Sequence, residues 1–251
     1  MAGALFEFLL RQGDNVLVLG HRLSEWCGKA PVLEEDIALT NTALDLIGQA
    51  RLWLELAGEV EDEGRSADDL TYTRDVRDFR NLLLVEQPSG DFGHMIMRQF
   101  LFDAWQVENL KALRASANLR VAEIAEKSLK EALYHFERSR CMVIALGDGT
   151  EHSHARMQAA LNLLWLYTGE LFAEDEVDRA MAKGKISPDP AGLRALWDRT
   201  VQDTLREAAL SAPDCAFTHR GGKDGRRHSE HLGHMLAVIQ FLPRAYPDAQ
   251  W

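Results

Sequence analysis

LRVAEIAEKSLKEALYHFERSRCMVIAL, residues 119–146, runs without proline or glycine and meets Gly147-Asp148-Gly149 at its end. Its apolar residues recur at three and four, so it reads as one long amphipathic helix stopped by the glycines. On it Lys127, Glu131, Tyr134 and Arg138 stand at i, i+4, i+7 and i+11, and share a stripe with His135 beside it. Three other stretches have the same character. From Leu5 to Cys27, Leu9, Val16, Leu19, Leu23 and Trp26 repeat at helical spacing, and Gly28 is placed to end the helix. From about Glu34 to Leu56 the stripe is Ile37, Leu44, Leu52 and Leu56, with Glu34, Glu35 and Asp36 giving the first turn the sign a helix N-terminus prefers. Asp91, after Pro88-Ser89-Gly90, is an N-cap for a helix reaching about Ala115.

The rest of the chain divides less sharply. Residues 58–77 are acidic and short of large apolar groups, which predicts a loop with a turn of helix at its end. Three further helices are expected near Ala155–Lys183, Ala191–Ser211 and His228–Ala245, with Pro188 and Pro190 separating the first two. Gly221-Gly222-Lys223-Asp224-Gly225 reads as a mobile lead-in to the last. No segment alternates like a strand. The expectation is an all-α fold in one domain across residues 1–251, a four-helix bundle core with about three additional C-terminal helices.

Composition narrows the function. With 251 residues and 46% hydrophobic content the chain can bury a sizeable core. Lys and Arg number 28 against 39 Asp and Glu, and the formal charge of −11 repels a phosphate backbone, so nucleic acid is excluded as the expected partner. No stretch approaches the ~20 apolar residues of a membrane span. The first ten residues are apolar but carry Glu7, lack a cationic start and reach Arg11 too soon for a signal peptide. Cys27, Cys141 and Cys215 are odd in number and match no metal or redox spacing, so reduced thiols and a cytoplasmic location are expected.

Asp45-Leu-Ile-Gly48 and Glu131-Ala-Leu-Tyr134 occupy the places where a carboxylate-bridged di-iron bundle carries Glu-x-x-His. Both imidazoles are missing. The other long helices carry polar stripes of their own: Asn41, Asp45 and Gly48; Gln99, Asp103 and Gln106; Gln12 and Asn15. Buried carboxylates must be neutralised, and with no imidazole present the sequence offers Lys127, Arg138 and His135 instead. The expectation is a ferritin-type bundle whose centre is ion-paired, with Lys127 or Arg138 where metal charge would have been. For each residue singly, a solvated helix face remains the alternative.

Gly13-Asp14-Asn15, Leu23-Ser24-Glu25-Trp26-Cys27-Gly28, Asp45-Leu46-Ile47-Gly48-Gln49-Ala50-Arg51, Asn81-Leu82-Leu83-Leu84-Val85-Glu86-Gln87-Pro88 and His231-Leu232-Gly233 together resemble the PaaC family of phenylacetate-catabolism proteins. The matching blocks span nearly the whole chain. The resemblance implies the structural component of a ring 1,2-phenylacetyl-CoA epoxidase, a ferritin-like fold without metal or catalytic residues. It implies pairing with a homologous catalytic partner, PaaA, that holds the di-iron centre and the acyl-CoA thioester, in a complex including a reductase. It also implies that Asp103, Asp45 with Gly48, and Glu131 with Tyr134 stand at that partner's ligand positions, with Asn15, or Asp14 one residue away, at the helix-one carboxylate. A homodimer in isolation is compatible with it. The rivals are an acyl-CoA-binding regulatory protein, for which the Gly-rich basic segment with Lys223, Arg226 and Arg227 is the hint, and a self-sufficient di-iron oxygenase, which the missing imidazoles oppose.

His228, His231 and His234 cluster, but at i, i+3 and i+6 they spread over too much of a helix to meet one zinc ion. The tryptophans suit a helical core, and Trp53, Trp105 and Trp251 are the candidate anchors for a partner chain.

Overall fold

A computed structural model describes residues 2–247 and 249, and Trp251 lies outside them. The helices in chain order are α1 (Ala2–Ser24), α2 (Leu33–Glu61), α3 (Ala67–Tyr72), α4 (Leu83–Glu86), α5 (Phe92–Leu113), α6 (Leu119–Gly147), α7 (Glu151–Leu164), α8 (Glu176–Lys183), α9 (Pro190–Glu207), α10 (Glu230–Ile239) and α11 (Phe241–Ala245). Short 3-10 segments cover Val76–Asp78 and Trp165–Phe172, and no strand occurs among the described residues. The fold is all-helical.

The four long helices start and stop where their local chemistry requires. Asp91 accepts the His94 N–H at 2.9 Å and caps α5 as expected. Asn118 accepts the Val121 N–H at 3.2 Å and opens α6. Helix α2 outlasts its expected end by a turn and closes at Asp62, whose φ of 60° reverses the chain. α3 then begins at a Ser66/Asp69 capping box, so residues 58–77 hold more helix than expected.

The expected single helix over residues 155–183 is three elements. Thr150 caps α7 through Ser153, and the chain then tightens into the 3-10 segment. Asp175 accepts from the N–H groups of Val177 and Asp178 at 2.9 and 3.1 Å, a local bond that starts α8 afresh instead of continuing a helix. α9 ends at Glu207, and the last expected helix is split into α10 and α11.

α1 is the post around which the rest is arranged. Every residue from Phe8 to Leu23 except His21 is buried, although the helix carries charges. α1 lies so close to α2 that a Cβ on Gly13 would stand 2.8 Å from Leu54 Cδ2. Its polar side chains each recruit a later segment. Arg11 pairs with Asp175 at 2.7 Å and with Asp178 at 3.3 Å, docking α8. Asp14, fully buried, accepts from Arg74 and from the Arg80 N–H at 2.8 Å. Asn15 accepts the Leu82 N–H at 2.8 Å, and Arg22 donates to the carbonyls of Glu86 and His231 at 3.1 and 2.8 Å.

Trp53 and Trp197 are fully buried, and Trp105 is 7% exposed. Each such ring contributes roughly 2 kcal/mol or more through burial alone. Trp53 and Trp105 are therefore core residues, which corrects their expected role as surface anchors. No described helix is long and apolar enough to cross a membrane.

Candidate functional site

Where α2, α5 and α6 face one another, polar groups do gather, but not the set the sequence nominates. Asp103 on α5 is 2% exposed. Its two oxygens accept from Gln99 Nε2 at 2.7 Å and Ser139 Oγ at 2.8 Å. Burial pushes its pKa up to about 6, against the opposing pull of His135, of these two hydrogen bonds and of Arg138. Gln49 of α2 donates to Glu131 of α6 at 2.9 Å, and His135 Nε2, its ring buried, lies 3.0 Å from Asp45 Oδ2. Arg138 pairs with Glu35 at the same seam. Beside them, Asn109 Nδ2 donates to Gln12 Oε1 at 2.9 Å, joining α5 to α1.

The inward stripe of α6 is Ser128, Ala132, His135 and Ser139, one residue on from the expected Lys127, Glu131, Tyr134 and Arg138. On α2 the same shift replaces Asn41, Asp45 and Gly48 by Thr42, Leu46 and Gln49. Lys127 and Gly48 are exposed, and Tyr134 is 57% exposed. None of the three faces the centre, so Lys127 does not neutralise it. Asp45, Glu131 and Arg138 sit at the rim of the α2–α6 seam, half-buried, and bond across it. Asn15 is buried but spends its side-chain oxygen on Leu82, away from α2 and α6.

The apolar pattern of α6 distinguishes the two stripes. Val121, Ala125 and Val143 are fully buried, and Ser128, His135 and Ser139 lie on their side of the helix. Among the described residues no three His, Cys, Asp or Glu side chains come close enough together to hold a metal ion. The polar centre can share protons and hydrogen bonds between helices, and its geometry suits that structural use.

The Gly-rich basic segment is also committed within the chain. The N–H groups of Gly221 and Gly222 donate to Glu170 Oε1 at 2.7 and 2.8 Å, and the Leu83 N–H donates to Oε2 at 2.8 Å. A buried carboxylate thus already fills the anion cradle that the glycines form. Burial raises the pKa of Glu170 while these N–H groups hold it down. Lys223 is tied to Asp178 and to the Ala173 carbonyl. Arg226 and Arg227 remain exposed. A cavity of about 50 Å³ beside Lys223, lined by Arg11, Gln12, Trp105, Asn109 and Glu170 among others, holds a water or two and not an acyl-CoA.

His228 stands apart from the other two histidines of its cluster. It is buried on Glu86, whereas His231 and His234 lie with ring centroids 6.5 Å apart on α10. Cys27, Cys141 and Cys215 are exposed free thiols. Glu86, Glu170 and Asp178 escaped the sequence reading because their partners are distant along the chain.

The chain is similar, at 49% identity over 98% of its length and 99% of the relative's, to the Escherichia coli (strain K12) protein named as the C subunit of 1,2-phenylacetyl-CoA epoxidase. The model of the phenylacetic acid catabolic proteins matches residues 2–251, and the chain belongs to that family.

Proposed function

We propose that this chain is the C subunit of a 1,2-phenylacetyl-CoA epoxidase, acting in the cytoplasm as the non-catalytic structural half beside a homologous catalytic partner. The carrying observation is the 49% identity over nearly the whole of both chains to a protein of that name. In this reading α1, α2, α5 and α6 form a ferritin-like four-helix bundle within one domain. The complex inserts oxygen into the ring of phenylacetyl-CoA, with the di-iron centre in the catalytic partner and electrons from a reductase.

The polar centre supports the non-catalytic half of the proposal. Gly48 and Tyr134 face outward, and the inward positions one residue on are Gln49 and His135, an amide and an imidazole already bonded to Glu131 and Asp45. Asp103, Asp45 and Glu131 are engaged by Gln99 and Ser139, by His135 and by Gln49. A bundle in this state has use for a partner and none for iron of its own.

Co-expression with the catalytic partner tests the reading. The two proteins should co-elute as one complex, and on its own the catalytic partner should turn over slowly or be poorly soluble. Full turnover of phenylacetyl-CoA by the catalytic partner with only its reductase would refute the structural assignment.

A further inference from the structure

We propose that His228 is a protonation-controlled latch: as an imidazolium it closes residues 219–239 as a strap over α1, α4 and the 3-10 segment Trp165–Phe172, and on losing its proton it lets the strap open. The proposal is independent of the epoxidase assignment.

The strap is held along its length by polar pins. The His219 N–H donates to the Leu166 carbonyl at 2.8 Å, Glu170 takes the N–H groups of Gly221 and Gly222, and Arg22 donates to the His231 carbonyl. Gly222 passes so close to the chain before α4 that a Cβ would stand 2.4 Å from the Asn81 carbonyl oxygen. Leu232, Met235 and Leu236 of α10 are buried beneath.

His228 sits between the pins and faces acceptors on both sides. Its Nδ1 lies 2.7 Å from Glu86 Oε2 and its Nε2 lies 3.2 Å from the Phe79 carbonyl oxygen. A carbonyl can only accept. Glu86 also accepts from the Asn81 amide at 2.9 Å and from the Ser229 N–H. Only the imidazolium carries hydrogen on both ring nitrogens and can donate to both acceptors at once. A neutral ring would turn a lone pair toward one acceptor. The His228 and Glu86 side chains are 2% and 0% exposed, so water is not at hand to repair the lost bond.

The surrounding charges agree. Glu86 faces the ring from α4, and Glu170 and Tyr167 stand on the 3-10 segment. Arg22 of α1 bonds the Glu86 carbonyl, and Arg227 precedes His228 on the strap itself. Burial pulls the His228 pKa down, but the hydrogen bond and charge of Glu86, the Phe79 carbonyl and Glu170 outweigh it, and the net shift is upward from 6.5. With the folded value above the unfolded one, the latch is fully closed below 6.5 and releases as pH rises through the raised value. The strap leads into an outward apolar row, Val238, Phe241, Leu242 and Tyr246.

Tryptic cleavage of the full chain at Arg226 and Arg227 reads the latch directly. Rates at about pH 7 and about pH 9, each divided by the rate on a free peptide of residues 219–239, should rise about tenfold or more with pH as one charge-assisted bond is lost. His228→Gln should be cut rapidly at both values with no pH dependence, and Glu86→Gln should match it. Equal normalised rates in the natural chain, or a pH rise that persists in His228→Gln, would overturn the proposal. Should a variant fail to fold, the natural chain decides by NMR. The Ser229 and Leu232 amides must shift with the same midpoint as the His228 ring, and a different midpoint refutes the latch.

Discussion

Asp103→Asn should stabilise the protein near neutral pH, because Asp103 is a buried carboxylate whose hydrogen bonds do not offset its desolvation. Moving the carboxyl from 3.8 to about 6 costs the ionised form about 3 kcal/mol relative to the unfolded chain. The sign follows from linkage. A carboxyl with a raised folded pKa binds its proton more tightly in the folded state, so stability falls as pH climbs from 3.8 through about 6 and the cost is complete above that. Asparagine removes the charge and keeps the contacts: its oxygen accepts from Gln99 Nε2, and its amide donates to the Ser139 hydroxyl, which rotates to accept. The net gain should be about 1–3 kcal/mol at pH 7.5, shrinking toward zero by about pH 4. Urea denaturation of both proteins at several pH values measures it. A variant less stable than the natural chain at pH 7.5, with the deficit shrinking as pH falls below about 4, would mean that the fold favours the ionised form of Asp103, and the account of the centre would be wrong.

Three further outcomes are expected. Lys127→Met should change stability by less than about 0.5 kcal/mol, since Lys127 is exposed, whereas Arg11→Met should cost roughly 2 kcal/mol or more by leaving Asp175 and Asp178 to Lys223 alone; urea melts compare the two. Glu170→Ala should cost about 3 kcal/mol, because the N–H groups of Leu83, Gly221 and Gly222 lose a shared acceptor, and hydrogen exchange at those amides should accelerate while α6 stays protected. Anaerobic iron loading followed by desalting should leave no stoichiometric iron by elemental analysis, and about two irons retained per chain would contradict the non-catalytic reading.

How much of this was legible in the sequence depends on how far each determinant acts along the chain. α1, α2, α5 and α6 were readable because their periodicity runs for many turns and their caps are local, as with Asp91. The helix between Ala155 and Lys183 was misread because Asp175 caps α8 from within an otherwise helical composition. Glu170 and Glu86 were invisible as anchors, since the backbone they bind lies 51 and 143 residues away. The register error on α2 and α6 has a different origin. One residue is a 100° turn of a helix, so adjacent polar stripes point one into the core and the other along the seam, with identical spacing. Energetics separates them. Turning Lys127, Glu131 and Arg138 inward would bury several formal charges at a cost of several kcal/mol for each imperfectly paired ion. Turning Ser128, Ala132, His135 and Ser139 inward buries two hydroxyls, a methyl and one imidazole; His135 meets Asp45 and Ser139 meets Asp103, and the unpartnered Ser128 hydroxyl costs less than a buried formal charge would. Between two stripes of equal periodicity, the one that carries less formal charge faces the core, and the charged stripe becomes the seam between helices, as Glu131 with Gln49 and Arg138 with Glu35 do here.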